Sequence, residues 1–380
     1  MRIVLAPDSF KESMTAAEAA QAMAVGVRRV IPEAALDLVP MADGGEGTMR
    51  VLADALGGAV VEAAAHDALG GQIAAPYGYV ENRQLAIIEM AAASGLAMIP
   101  PARRDVATAS TFGTGEVIRD ALDRGARHFI IGIGGSATND AGAGMATALG
   151  VRFLDQAGAE LPFGGAALAQ LASIDITELD GRLTRCRFEV ACDVDNPLLG
   201  PAGASVVFGP QKGATPELVT QLDRALTRWA DVVEPAIGRV VRDLPGAGAA
   251  GGLGAGLAAF IPTATFRPGV EIVMDTLHLA DHVRGADWVF TGEGSIDFQT
   301  LHGKTPWGVL QVANSVGVPV IMFGGAVTAE ASVLLSAGAV ALVPIVRRVQ
   351  SIGDALTSGP SNLADAVEMT TRLITHSAKI

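Results

Sequence analysis

Short β-branched runs alternate along the chain with longer stretches whose apolar residues recur every three to four positions, most clearly at its two ends. Over residues 1–66 this pattern predicts a strand at Arg2–Ala6, a helix from about Thr15 to Val30 and a strand at Leu36–Pro40. A helix at Gly47–Leu56 and a strand at Ala59–Ala65 follow. Over 286–380 the rhythm returns, with strands near Trp288–Thr291, Val318–Phe323 and Val340–Pro344. Each precedes a helical pattern, the last at about Asn362–Thr375. Such alternation implies a parallel sheet with right-handed crossovers. The middle, 67–285, is less regular: a hairpin-like pair, Gln72–Val80 and Gln84–Met90 joined by Glu81-Asn82-Arg83, precedes helices and strands in mixed order. The economical organisation is α/β, a doubly wound parallel-sheet domain (1–66 plus 286–380) interrupted by a second, inserted mixed α/β domain (67–285). A cleft is expected between them, since ligands of such sheets gather at the carboxyl ends of the strands.

Composition supports this frame and narrows the partners. At 380 residues the chain exceeds one ordinary core, so two domains are the default. Half the residues are hydrophobic and only 4% aromatic, which suits Ala-rich helices on Val/Ile strands. A formal charge of −13 argues against nucleic acid and against an anionic membrane surface. Cys186 and Cys192, without histidine neighbours, suggest neither a zinc site nor a disulfide framework, and a reducing cytoplasm fits. The N-terminus lacks a signal-peptide pattern. The uncharged stretch from Pro245 to Phe266 is broken by six glycines and Pro262, so it reads as a buried soluble segment. Within it, Gly246-Ala247-Gly248-Ala249-Ala250-Gly251 satisfies G-x-G-x-x-G. No clean strand precedes it and no acidic residue ends a second strand about twenty positions on, so a tightly packed glycine-rich turn is favoured over a dinucleotide site.

Two segments carry more specific chemistry. In residues 129–150 a β-branched run ends at Gly134-Gly135, passes Ser136, Thr138, Asn139 and Asp140, and enters a small-residue helix pattern. Glycine turns can converge N–H groups on an anion, and a helix start adds its positive end. The alternative is a tight turn whose Ser and Asn merely cap the helix. In residues 286–310 a short strand leads into Gly292-Glu293-Gly294, then Asp297, then Gly303-Lys304-Thr305-Pro306. Thr305 suits a helix cap and Pro306 the first turn, which places Lys304 near a helix N-terminus, although the spacing is not that of a P-loop. Further polar loops, Pro7–Lys11, Met41–Thr48, Cys192–Pro197 and Phe208–Thr215, fall at strand ends or before helices. Each alone reads as turn chemistry. Together they supply carboxylates for Mg²⁺, lysines and N–H groups for phosphates, and a carboxylate to take a hydroxyl proton, which is the equipment of phosphoryl transfer.

These motifs, PDSFK (7–11), MADGGEGT (41–48), GIGGSATNDAGAGM (132–145), ACDVDNPL (191–198), FGPQKGAT (208–215), GAGAAGGLGAGL (246–257) and TGEGSID with GKTP (291–306), resemble the type I glycerate kinases, in the same order and over essentially the whole chain. The resemblance implies ATP-dependent phosphorylation of D-glycerate, in this family generally to 2-phosphoglycerate. It also implies a flavodoxin-like domain interrupted by a larger insert. One departure is Glu12, where the family usually carries glycine. With the family as frame, Asp193 is the first candidate for the base that accepts the glycerate proton and Asp43 the second. Ser9, Lys11, Ser136 and Asn139 are candidates to grip the glycerate carboxylate and hydroxyls. Arg267 is a weaker one, for which a structural role is the alternative. Glu293 and Asp297 are candidates for Mg²⁺. Lys212 and Lys304 are candidates for nucleotide phosphates, with the backbone at Gly134, Gly135, Gly292 and Gly294. The 2- and 3-hydroxyls both stay open as acceptors, and so does homo-oligomer formation. The competing functions are an NAD-linked hydroxyacid dehydrogenase, which would turn over NADH with hydroxypyruvate, and a non-catalytic binder of sugar acids, which would release no ADP.

Overall fold

The computed structural model describes residues 1–301 and 303–377. Its strands, in chain order, are β1 Arg2–Leu5, β2 Ala35–Leu38, β3 Ala59–His66, β4 Gln72–Val80, β5 Leu85–Glu89, β6 His128–Gly132, β7 Arg152–Leu154, β8 Ser173–Asp175, β9 Arg187–Ala191, β10 Ala264–Arg267, β11 Trp288–Ile296, β12 Val320–Val327 and β13 Ala339–Pro344. The chain divides into two compact units, Met1–Asp43 with the chain from Pro268 onward, and Gly44–Arg267.

The first unit holds one sheet in the order β2-β1-β11-β12-β13, every pairing parallel. Counted within the unit this is the 2-1-3-4-5 order of flavodoxin-like sheets. Its opening helix, Ala16–Arg28, starts where the sequence predicts. Thr15 accepts the N–H of Glu18, and the Glu18 carboxylate accepts the N–H of Thr15. The buried face of that helix (Ala19, Met23, Val27) joins Ile3, Leu5, Phe290, Phe323, Leu363 and Val367 in one apolar cluster.

One element here is longer than expected. Gly292-Glu293-Gly294 belongs to β11 and not to a loop after it, with Gly292 opposite Phe323 and Glu293 opposite Gly324 of β12. A Cβ on Gly292 would lie 2.1 Å from the Phe323 carbonyl oxygen, so glycine here admits a neighbouring strand instead of ending its own.

The second unit holds a mixed six-stranded sheet, β10-β9-β6-β5-β4-β3, and a small β7-β8 ribbon. β10, β9, β6 and β5 run parallel, while β4 and β3 are antiparallel additions. β4 and β5 form the expected hairpin through the turn Glu81–Arg83. The expected boundary at 66/67 falls inside this unit, because β3 pairs along its length with β4 and not with the first sheet. The return crossing comes at 267/268, ahead of the expected 285/286. Phe129 and Phe188 stack at 4.3 Å in the core, beside Ile131, Leu253 and Leu257.

The GAGAAG segment enters the helical run Ala249–Phe260, as the packed-turn reading predicts. Gly251 takes a φ of +67°, and a Cβ there would meet the Thr138 carbonyl oxygen at 1.9 Å. Glycine at 251 thus lets two backbone segments approach closely. No helix among the described residues is long and apolar enough to cross a membrane.

Candidate functional site

In the first unit the loop after β1 lies against β11, the Asp8 N–H donating to the Gly292 carbonyl at 2.8 Å. Asp8 is the centre of a cluster that the sequence reading passed over in favour of its neighbours. Its carboxylate accepts the Ser9 N–H at 2.6 Å and the Thr305 hydroxyl. Burial holds its pKa up at about 6; nearby Asp43 pushes the same way, and the Thr305 hydrogen bond opposes. Glu293 is 8% exposed, accepts the Thr300 hydroxyl at 2.7 Å and has the Lys304 ammonium at 3.5 Å. Burial pushes its pKa up to about 7 against the help of Thr300 and Lys304, with Asp8 adding to the rise. Glu293, Lys304, Asp8 and Asp43 are thus one electrostatic group.

Other candidates of this unit sit around that group. Asp297 caps a short turn, accepting the Gln299 N–H at 2.8 Å and the Ser295 hydroxyl at 3.1 Å. Lys11 is exposed, and a Cβ on Gly294 would stand 3.3 Å from its backbone nitrogen. The helix Thr305–Ser315 begins one residue earlier than expected. Lys304 is its cap residue, and the Thr305 side chain, read as the cap, is turned to Asp8 instead. That swap ties the lysine's helix to the first loop. Thr300 carried no sequence signal beyond being a hydroxyl beside a charged motif, and Thr305 carried only that of a helix cap.

In the second unit, four parallel strands end in one row. Glu89 of β5 stands beside Gly132 of β6, Gly132 beside Ala191 of β9, and Ala191 beside Arg267 of β10. The candidate loops leave from this edge, where open α/β sheets hold ligands. Gly134 and Gly135 are exposed, with open space above Gly134, and Ser136 follows at 7% exposure. Asp193 is exposed, two residues past the row. Arg267 lies 3.8 Å from the buried Glu189 carboxylate, and its carbonyl accepts the Cys192 N–H at 3.0 Å.

Beneath this edge the charges are internal. Lys212 is 1% exposed, and its ammonium donates to the Ser136 hydroxyl oxygen and to the Thr138 carbonyl, each at 2.7 Å. Burial pulls its pKa down to about 7, Asp140 opposing. Lys212, expected at a phosphate, meets protein acceptors. Asn139 is fully buried and donates to Ser205 at 3.0 Å, its Oδ1 lacking a hydrogen-bond partner among the described residues.

Asp140 corrects the anion-at-the-helix reading of this loop. Its carboxylate accepts the N–H groups of Thr111 (2.8 Å), Gly142 (3.1 Å) and Gly144 (3.2 Å), and the Thr111 hydroxyl at 2.9 Å. The amino end of the six-residue helix Ala143–Ala148 is therefore occupied by the chain's own anion. Burial still raises the Asp140 pKa, with these donors opposing.

Comparison with known proteins agrees with these motifs. The model of the Glycerate kinase family matches residues 3–375. A glycerate kinase of Haemophilus influenzae is 47% identical over 374 residues, covering 98% of this chain and 99% of its own. A glycerate 2-kinase of Escherichia coli K12 is 46% identical over 366 residues, 96% of each chain. Among solved structures, one from Salmonella typhimurium LT2, assigned provisionally as a glycerate kinase 2, superposes with a TM-score of 0.93. It is 47% identical, with both chains fully covered.

Proposed function

The chain belongs to the glycerate kinase family, and on that premise we propose that it transfers the γ-phosphoryl group of ATP to D-glycerate, giving 2-phosphoglycerate with the help of Mg²⁺. The observation that carries the reading beyond family likeness is the Asp8–Glu293–Lys304 group. Two carboxylates are held near neutral pKa by burial, beside a lysine that opens an eleven-residue helix. Buried carboxylates gain most from a cation, which restores the charge balance that burial has removed, while the partly exposed lysine can meet a phosphate.

The donor set fits Mg²⁺. The oxygens of Asp8, Glu293 and Asp297 are hard donors of the kind Mg²⁺ takes, and among the described residues no group of three or more His, Cys, Asp or Glu is placed to hold a metal ion by itself. Mg²⁺ in nucleotide sites takes one or two carboxylates and completes its shell with phosphate oxygens and water. When bound, it would neutralise charge on the triphosphate; Glu293 and Asp8 would hold it, and Lys304 would meet the phosphates. In the second unit Ser136, beside the exposed backbone of Gly134 and Gly135, offers a hydroxyl to the acceptor acid. Asp193 is the first choice for the base that takes its proton, Asp43 the second. Ser9 and Lys11 are further contacts for an anionic ligand in the first unit.

The test is NMR of the product formed from D-glycerate and Mg·ATP, read beside coupled ADP release. A 2-phosphoglycerate spectrum is expected. 3-Phosphoglycerate would overturn the regiochemistry, and an absence of ADP release would overturn the activity. Asp193→Ala should lower kcat by about a thousandfold with the fold intact; a near-normal rate would pass the base role to Asp43.

A further inference from the structure

A lysine buried to 1% exposure is costly, and the phosphate role expected of Lys212 does not account for it. The side chain sits on the short turn Pro210–Lys212, behind the loop that carries Ser136. An ammonium has three protons and no lone pair, so toward both of its partners it can only donate. The Thr138 carbonyl can only accept. The Ser136 hydroxyl has a choice, and protonated Lys212 removes it: the oxygen then accepts at 2.7 Å, leaving its single proton for another acceptor. Among the described residues, the bond from Lys212 is the only hydrogen bond made by that oxygen. The side of Ser136 that remains is next to exposed Gly134 and Gly135, at the strand-end edge.

We propose that Lys212 is a positioning residue for the acceptor acid, its ammonium obliging the Ser136 hydroxyl to donate its proton to the carboxylate of bound glycerate. The inference rests on the glycerate kinase reading and adds a residue that touches no substrate. It also explains why a lysine stands where an apolar side chain would pack more cheaply. Methionine could fill the volume but would leave the serine proton free to turn inward. Asp140 is the charged group facing Lys212, and its oxygens are taken by N–H groups of Thr111, Gly142 and Gly144 and by the Thr111 hydroxyl. Asp140 supplies field without competing for the ammonium's protons. A carboxylate arriving at Ser136 adds a second negative charge near Lys212 and so favours its protonated form. By linkage, glycerate binding above neutral pH takes up a proton.

The experiment compares wild type, Ser136→Ala, Lys212→Met and the double variant, reading kcat and KM for D-glycerate and for ATP separately, with thermal melting as the fold check. Each single change should raise KM for glycerate about tenfold, the scale of one hydrogen bond to a charged group, and leave KM for ATP within about twofold. The double variant should match the worse single one, because the lysine acts through the serine. Calorimetry of glycerate binding to wild type at pH 8 in buffers of different ionisation enthalpy should show proton uptake, lost in Ser136→Ala. An unmoved KM for glycerate in either folded variant, additive effects, or no proton uptake would overturn the inference. If Lys212→Met does not fold, Ser136→Ala and the wild-type calorimetry still decide it. A wild type that releases no ADP with glycerate overturns the reading beneath it, whereas an active wild type with unmoved KM overturns this inference alone.

Discussion

Each unit sets a lysine near a carboxylate at the carboxyl end of parallel strands, and the two pairs are held in opposite ways. In the first unit the Lys304 side chain keeps 30% of its surface exposed and reaches a Glu293 carboxylate that burial has pushed toward neutrality. In the second, Lys212 is sealed, and the carboxylate that balances it, Asp140, is wrapped by backbone donors. The same residue types at comparable positions thus serve different ends. The first pair gains from an outside charge. The second is part of the framework, and its one side-chain hydroxyl partner is Ser136.

Deleting one acid from each unit is the sharpest way to break that comparison. Asp140→Ala strands the N–H groups of Thr111, Gly142 and Gly144 in the interior and leaves Lys212 without its counter-charge. A loss of about 3–5 kcal/mol in stability is expected, read as a large drop in the denaturant midpoint. A variant as stable as wild type would show that Asp140 is a ligand group rather than a structural one.

Glu293→Gln should do the reverse. The Glu293 pKa is about 7 in the folded protein against 4.5 for a free side chain, so between those values the folded state binds more protons than the unfolded. The contribution of Glu293 to stability is therefore present below about pH 4.5 and is lost as pH rises through 7, at a cost of up to about 3 kcal/mol. Glutamine removes this dependence: the variant should melt higher than wild type at pH 8 and close to it at pH 4.5. Its kcat should fall about a hundredfold as the cation site weakens. Unchanged activity would release Glu293 from the metal role, and an unchanged pH profile of melting would put its charge elsewhere.

Most of the strands, the start of the first helix near Thr15 and the hairpin were legible because local rules decide them: β-branched runs, apolar periodicity and the three-residue turn after β4. What local rules leave undetermined is which partner a polar group finds. Asp140 has the spacing of a ligand-loop carboxylate and of a carboxylate closing its own helix, and only packing against Thr111 chooses the second. Alternation placed β3 as a strand but could not say whether it joins a parallel sheet or an antiparallel edge. Gly292 read as a strand's end, since nothing nearby in sequence announces the Phe323 backbone pressed against it. Asp8 was in view in the first loop, yet its value comes from Thr305, almost three hundred residues away.

The smallest expected effect concerns a single backbone angle in the first unit. Glu12 has φ of +63°, in the turn where Met14 and Ser13 donate to the Phe10 carbonyl. An L-residue pays about 1–2 kcal/mol for left-handed backbone, and glycine pays almost none. Glycine gives back roughly 0.5–1 kcal/mol through the greater freedom of its unfolded chain. Glu12→Gly should therefore stabilise the protein by about 0.5–1 kcal/mol, measured as a small rise in denaturant midpoint at constant m-value. Glu12→Ala, which lacks the carboxylate but keeps the strain, should not. If alanine stabilises as much as glycine, the cost at this position lies in the glutamate side chain and not in the backbone. If glycine alone stabilises, the loop carrying Asp8, Ser9 and Lys11 is held in shape by packing that outweighs a locally unfavourable residue.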